Sequence, residues 1–152
     1  GNVLQDFIAQ KNEALDEQTT YTMVELLRGV IQGGTGSRIR YRFHLMNDIF
    51  GKTGTTQSYA DGWFIGCTPD LIAGSWVGCD DRYLRFRSMA DGQGASTALP
   101  IWGKFFQKVY SDSLHFSNEI NPEHRFTQPV GKTNMNYDCG DVSSSDKGSE
   151  YE

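Results

Sequence analysis

The sequence has few cysteines, no long apolar run and no concentration of positive charge. Its three cysteines, Cys67, Cys79 and Cys139, match neither the C-x-x-C pattern of a metal site nor the even number of a disulfide framework. No run of about 20 apolar residues is present to cross a membrane. The 14 basic and 19 acidic side chains give a net charge of -5, without the basic stripe that binding to duplex phosphates needs. We therefore expect no nucleic-acid partner.

The length of 152 residues fits a single domain, and the composition changes near its end. The first seven residues lack the basic start and apolar core of a secretion signal, so we expect any targeting segment to belong to a longer parent. From Gly131 onward Gly, Ser, Asn and acidic residues dominate. We predict that residues 131–152 form a disordered acidic tail.

Two segments have the apolar spacing of a helix. The first begins at Thr22, which has capping-box spacing with Glu25, and ends at Gly33-Gly34. The second starts near Pro100, a residue favoured in the first turn of a helix. Its apolar residues are Ile101, Trp102, Phe105, Phe106, Val109 and Tyr110.

Four segments rich in β-branched and aromatic residues predict strands. They are residues 3–8, 49–56, 62–67 and 71–78, and Thr68-Pro69-Asp70 supplies turn chemistry between the last two. The last three strands would form a hairpin beside a third strand. With the two helices they predict an α+β fold in which helices flank an antiparallel sheet.

The segments between these elements are polar. Residues 12–17 predict a polar connection and residues 80–94 a surface loop punctuated by glycine. In residues 36–47 three arginines, Arg38, Arg40 and Arg42, alternate with apolar residues, which predicts an exposed loop or an edge strand.

Gly51-Lys52-Thr53 invites comparison with a phosphate-binding P-loop. Such a loop also needs a glycine five residues before its Gly-Lys pair, so that backbone amides can turn around the anion. Met46 occupies that position, and Phe126 occupies it for the second Gly-Lys-Thr at residues 131–133. The spacing therefore argues against nucleotide binding.

Lys52-Thr53-Gly54 is also the triad that serine acyl-transferases acting on penicillin-like and D-alanyl substrates carry on a strand. Lysine supplies a cation for a substrate carboxylate, the threonine hydroxyl donates hydrogen bonds, and glycine lets another backbone approach the strand. A substrate peptide could then pair along that edge.

The surrounding residues resemble the transpeptidase domain of class A penicillin-binding proteins over residues 1–130, which would be the C-terminal portion of that domain. The residues that carry the resemblance are Thr20-Tyr21-Thr22-Met23, Gly34-Thr35-Gly36, Gly51-Lys52-Thr53-Gly54-Thr55-Thr56, Asp61-Gly62-Trp63-Phe64-Ile65-Gly66, Thr68-Pro69-Asp70-Leu71, Ala73-Gly74, Trp76-Val77-Gly78, Asp80-Asp81 and Ala98-Leu99-Pro100-Ile101-Trp102. The resemblance implies part of the serine β-lactamase/D,D-transpeptidase fold. It also implies a bifunctional parent, with a glycosyltransferase domain elsewhere, that is anchored on the periplasmic side of the bacterial inner membrane.

For function, the resemblance implies cross-linking of peptidoglycan stem peptides through an acyl-enzyme, and acylation by β-lactams. Lys52, Thr53, Gly54 and Thr55 match the family's substrate strand. The carboxylate of the substrate or antibiotic would bind Lys52, Thr53 and Thr55, and the amide of Thr55 would complete the oxyanion hole. No metal or organic cofactor is implied.

One part of the family pattern is absent. The nucleophile motif Ser-x-x-Lys and the Ser-x-Asn motif should both precede the Lys-Thr-Gly triad, and neither occurs between Gly1 and Lys52. We therefore expect no catalytic residue in the chain, and expect the nucleophile to lie on its partner, a missing N-terminal part of the same domain, or on a second chain. The chain alone should be inactive.

Two other functions remain open at this stage. The chain could be a non-catalytic binding or scaffold module that displays a sheet edge to a partner. It could also be a free-standing hydrolase using Ser144 and Lys147, the one Ser-x-x-Lys in the sequence, although these residues follow Lys52 in the acidic tail.

Other conspicuous residues favour structural roles. His44, His115 and His124 have no second ligand at metal spacing, so we expect surface or local packing positions. We assign Cys67 and Cys79 packing or surface roles as well. Six aromatic residues could form a carbohydrate platform, but their spacing favours a core; they are Trp63, Phe64, Trp76, Trp102, Phe105 and Phe106.

Overall fold

The computed structural model describes residues 12–111 and 120–131. The helices are α1 (Glu17–Gln32), α2 (Arg38–Phe43), α3 (Met89–Gly92) and α4 (Ala98–Ser111), and the strands are β1 (Phe50–Thr55), β2 (Gly62–Cys67) and β3 (Ile72–Val77). In this part of the chain, none of the helices has the length and apolar character needed to span a membrane. The predicted strand at residues 3–8 and the tail at 132–152 lie outside the described residues.

Helix α1 begins five residues earlier than the capping-box spacing predicted. Asp16 is the N-cap, and its carboxylate accepts a hydrogen bond from the Thr19 amide at 2.9 Å. Thr22 instead lies inside the helix, where its hydroxyl donates to the Gln18 carbonyl at 2.8 Å. The predicted end was right, because Gly33 is the C-cap.

The arginine-rich segment is a helix and not the loop or edge strand that its alternation predicted. Ile39 and Phe43, four residues apart in α2, are both buried in the core. Arg38 donates to the Ala95 carbonyl at 3.0 Å, and Arg40 donates to the carbonyls of Leu45 and Asn47. Arg38 and Arg40 therefore bind backbone oxygens around the helix, and the Arg42 guanidinium lies 5.8 Å from the centroid of the Phe43 ring.

The three strands form an antiparallel sheet in the order β1-β2-β3, as predicted. Lys52 lies opposite Ile65 on β2, and Ile65 lies opposite Gly74 on β3. Thr68 closes the β2–β3 hairpin, since its amide donates to the Leu71 carbonyl at 2.9 Å. Residues 80–94 form the expected surface loop apart from the short helix α3.

The core lies between one face of the sheet and helices α1, α2 and α4. Its buried side chains are Ile31, Ile39, Phe43, Leu45, Ile49, Phe64, Ala98, Leu99, Trp102 and Phe106. Trp102 packs edge-on against Phe64 and stacks on Phe106, with ring centroids 5.4 and 4.0 Å apart. Gly66 leaves space for this ring, because a Cβ there would lie 2.7 Å from Trp102 Cε2.

The opposite face of the sheet is open to solvent, and we call Trp63, Ile65, Ile72 and Trp76 the open face. These side chains are 46%, 50%, 71% and 43% exposed. The prediction of a core role is therefore right for Phe64, Trp102 and Phe106 but wrong for Trp63, Trp76 and Phe105, which is also exposed. The alternation of β2 puts Phe64 on one side of the sheet and Trp63 on the other.

Two carboxylates attach the segment 120–131 to the rest of the chain. Asp70 accepts a hydrogen bond from the Asn121 amide at 3.0 Å and contacts His124 Nδ1 at 2.7 Å. Asp48 accepts from the Phe126 amide at 3.0 Å and pairs with Arg28. His124 thus has the local packing role expected from the sequence.

We predict that Gly66→Ala destabilises the chain by about 1–3 kcal/mol, because the added methyl group overlaps Trp102. Gly29→Ala is the matched control: it lies within α1 with nothing within 4 Å of an added Cβ, and it should stabilise by about 0.5–1 kcal/mol through helix propensity. Urea unfolding followed by tryptophan fluorescence measures both changes. Equal effects of the two substitutions would contradict this account of the core.

We also predict that the isolated chain self-associates through the open face, because exposed apolar patches of this kind promote association. The double variant Ile65→Thr/Ile72→Thr should shift the sedimentation profile toward monomer. Tyr83→Thr, at a side chain that is 91% exposed but off the sheet, should not. A wild-type chain that sediments as a single monomeric species would refute the prediction.

Candidate functional site

The Lys-Thr-Gly triad lies on β1, which pairs only with β2 among the described strands and is therefore an edge strand there. Side chains alternate along it, so Lys52 and Gly54 share the open side of the sheet, whereas Thr53 and Thr55 share the core side. The structure thus brings the four predicted site residues, Lys52, Thr53, Gly54 and Thr55, onto one exposed edge.

The hydrogen-bond pattern shows which main-chain groups of β1 are available. The Thr56 amide donates to the Asp61 carbonyl at 3.0 Å, and these residues stand opposite each other at the end of the hairpin. Because antiparallel strands alternate hydrogen-bonded with non-hydrogen-bonded pairs, the next residue, Thr55, and then Thr53 direct their amides and carbonyls away from β2. Two sets of main-chain donors and acceptors on β1 therefore point away from the described sheet.

Lys52 is exposed, and its ammonium donates a hydrogen bond to the Thr53 carbonyl at 2.9 Å. Within residues 12–111 and 120–131 no carboxylate forms an ion pair with it. Two of its three N–H donors are therefore left for a ligand. A ligand that bears a carboxylate meets an uncompensated cation at this edge.

Thr53 contacts Thr35, a residue of the Gly34-Thr35-Gly36 stretch whose contact with the edge strand was not predicted from the sequence. Their hydroxyl oxygens are 2.7 Å apart. Thr35 lies in the turn after α1, between two glycines that pack closely on the helix. A Cβ on Gly34 would lie 2.8 Å from Val30 Cα, and a Cβ on Gly36 would lie 2.7 Å from Ile31 Cδ1. The signal in the sequence was Gly34-Thr35-Gly36, in which glycines allow the turn to bring a hydroxyl to the edge strand.

Thr55 joins the edge strand to the loop that precedes α4. Its hydroxyl accepts a hydrogen bond from the Gly94 amide at 3.0 Å. Gly94 approaches so closely that a Cβ there would lie 2.4 Å from the carbonyl oxygens of Gly54 and Trp63. The hydroxyl hydrogen of Thr55 remains available as a donor.

The turn after β1 has two adjacent residues in the left-handed region, Ser58 with φ of 59° and Tyr59 with φ of 57°. Such a conformation costs about 1–3 kcal/mol for a residue other than glycine. Asp61 holds the turn, because its amide donates to the Thr56 hydroxyl at 2.9 Å and its carboxylate accepts from Trp76 Nε1 at 3.1 Å.

No second catalytic group accompanies the edge strand within the described residues. None of the serines there has a hydrogen bond to a lysine or histidine side chain, and no three His, Cys, Asp or Glu side chains converge there to hold a metal ion. The pair Ser144 and Lys147, like His115, lies outside the described residues. Burial raises the pKa of the Cys67 thiol, which lies at the end of β2 and not beside the Lys-Thr-Gly triad.

Comparison with known proteins finds relatives that bear the same name, Penicillin-binding protein 1A. The chain is 33% identical to Penicillin-binding protein 1A of Aquifex aeolicus over 124 residues, which is 82% of this chain and 16% of that protein. It is 33% identical to Penicillin-binding protein 1A of Pseudomonas aeruginosa over 82% of this chain and 14% of that protein, and 34% identical to that of Clostridium novyi over 86% and 13%. No family model matches the chain.

The fold has a solved counterpart. The crystal structure of Penicillin-Binding Protein 1A from Haemophilus influenzae superposes with a TM-score of 0.60 at 28% sequence identity, over 76% of this chain and 17% of that one. The antiparallel sheet and its helices are therefore part of the serine β-lactamase/transpeptidase fold.

The relatives and this fold together identify the family. The chain belongs to the class A penicillin-binding proteins and corresponds to a part of their transpeptidase region. It spans about a sixth of the length of the curated relatives it matches.

Proposed function

We propose that the chain supplies the substrate-binding edge of a peptidoglycan D,D-transpeptidase, on which a stem peptide or a β-lactam binds alongside β1. The observation that carries the proposal is the exposed Lys52 on an edge strand whose Thr53 and Thr55 main-chain groups face outward. An extended peptide can add to such an edge as a further strand.

The chemistry of the edge fits a ligand that carries a carboxylate beside an acyl group. Lys52 provides the cation, and Thr53 and Thr55 provide hydroxyl groups on the other side of the strand. In this proposal the outward amide of Thr55 donates to the oxyanion of a tetrahedral intermediate. Loss of one such donor typically costs about 10²–10³ in rate.

The reaction also needs a nucleophilic serine, which we assign to another segment of the transpeptidase domain. In the proposed sequence the serine attacks the carbonyl of the penultimate D-alanine and releases the terminal D-alanine. An acceptor amine then attacks the acyl-enzyme, and the new amide forms as the serine leaves. Residues 1–130 would take part as the C-terminal portion of that domain on the periplasmic side of the membrane, with 131–152 as a tail outside it.

A second candidate, a non-catalytic scaffold module, is favoured by the open face. Trp63, Ile65, Ile72 and Trp76 offer apolar area on the opposite side of the sheet from the core. The two functions differ in the surface they use, because the scaffold function would depend on this face and not on Lys52.

Acylation by benzylpenicillin tests the proposal. A chimera would carry residues 12–131 in place of the corresponding region of the Haemophilus influenzae relative, and intact mass would report the covalent adduct. We predict that Lys52→Ala lowers the acylation rate about 10- to 100-fold, because a hydrogen bond to a charged group contributes about 1.5–3 kcal/mol. Lys104→Ala, at an exposed lysine of α4, is the control and should leave the rate unchanged.

The chain alone should form no adduct under the same conditions. If it did, a nucleophile would lie within its 152 residues, and loss of the adduct in Ser144→Ala would identify it. Equal acylation rates of the chimera with and without Lys52 would refute the role of the edge strand.

A further inference from the structure

A cavity of about 510 Å³ lies beyond the Thr55 end of β1, and we call it the arginine cavity. Its lining residues are Ser58, Tyr59, Tyr83, Arg85, Phe86 and Arg87. They come from two segments, the turn between β1 and β2 and the loop that precedes α3. The Phe86 amide joins the segments by donating to the Tyr59 carbonyl at 3.3 Å.

The charge of this cavity is entirely positive. Within the described residues neither Arg85 nor Arg87 has a salt bridge or a side-chain hydrogen bond, and no acidic residue lines the cavity. Of the acids close by in the sequence, Asp81 accepts from the Tyr83 amide and Asp91 from the Ser88 hydroxyl, and neither forms an ion pair with Arg85 or Arg87 in the described part of the chain. The chain as a whole has a net charge of -5, so the positive potential is a local feature.

The walls of the cavity favour an organic anion. Tyr59, Tyr83 and Phe86 contribute aromatic side chains to the same lining as Arg85 and Arg87. A guanidinium binds a carboxylate through two parallel hydrogen bonds, and aromatic rings beside it can pack against the carbon chain of an organic anion. The other positive region with a cavity, around Arg28 and Arg40, differs because Arg28 is already paired with Glu25 and Asp48.

The cavity lies near the proposed substrate edge. Ser58 and Tyr59 follow Thr55 by three and four residues, so the distance along the chain is at most about 10–14 Å. The loop is also tied to β1 directly, through the hydrogen bond from the Gly94 amide to the Thr55 hydroxyl. A peptide held by its terminal carboxylate at Lys52 and extended past Thr55 would bring its next residues to this cavity.

We propose that the arginine cavity is a subsite that binds a side-chain carboxylate of the peptide lying along β1, through Arg85 and Arg87. The inference rests on the proposed function for the position of the peptide, but the anion site itself rests on the lining residues alone. Binding of a carboxylate in the arginine cavity makes the substrate edge selective for acidic peptides.

Two tetrapeptides test the selectivity. Both end in lysyl-D-alanyl-D-alanine, and they differ only in carrying glutamate or glutamine at the N-terminal position. Calorimetric titration of the chain should show about 10-fold tighter binding of the glutamate peptide, the usual size of one charge-assisted hydrogen bond. Arg85→Gln/Arg87→Gln should abolish this preference, and Arg82→Gln, an exposed arginine outside the cavity lining, should preserve it.

Lys52→Ala separates failure of this inference from failure of the proposed function. It should weaken both peptides equally. Binding that depends on Lys52 but does not distinguish glutamate from glutamine would overturn the subsite and leave the substrate edge intact. If neither peptide binds, the proposed edge is wrong and the subsite for its peptide is wrong with it.

Small anions test the site without the peptide. Glutarate should shift the amide NMR signals of Tyr59 and Phe86 in the wild-type chain and in Lys52→Ala, and the shifts should disappear in Arg85→Gln/Arg87→Gln. Absence of shifts in the wild-type chain would overturn the anion site. Inorganic phosphate that binds as tightly as glutarate would overturn the assignment to carboxylates.

Discussion

The packing of Trp102 on the sheet is the contact on which the rest of the structure depends. The indole ring is buried, and its Nε1 donates to the carbonyls of Gly66 and Ala73 at 3.3 and 3.1 Å. This ties α4 to both β2 and β3. Helix α2 packs on α4 as well. Gly103 leaves room there for the ring of Phe43, because a Cβ on Gly103 would lie 2.7 Å from that ring. One aromatic side chain thus orients the sheet relative to two helices.

The orientation of the sheet decides what β1 can do. With Phe64 buried under α4, the register places Thr53 toward the core and Lys52 opposite Ile65 on the open side. The cation therefore stands on the solvent side of the strand while the hydroxyl of Thr53 meets Thr35 on the other. Local strain in the Ser58–Tyr59 turn is tolerated because Asp61 and Phe86 hold it through hydrogen bonds.

Elements with local sequence signals were predicted correctly, whereas features that depend on packing between distant residues were not. The positions of the three described strands were predicted to within one residue, since β-branched runs and the Thr68 turn are local signals. Helix α2 was missed because its core contacts involve only Ile39 and Phe43, and the intervening arginines imitate strand alternation. Trp63 and Trp76 were assigned to the core because composition does not reveal which face of a sheet is covered.

The sequence by itself determined the three described strands, the two longer helices and the position of the Lys-Thr-Gly triad, because periodicity, turn chemistry and the triad are properties of neighbouring residues. Only the tertiary structure decided which groups come together. Thr35 reaches Thr53 across 18 residues, Gly94 reaches Thr55 across 39, and Arg85 and Arg87 join Tyr59 in one cavity. Such contacts depend on how separate elements pack, and packing is set by the complementary shapes of side chains that are distant in the sequence.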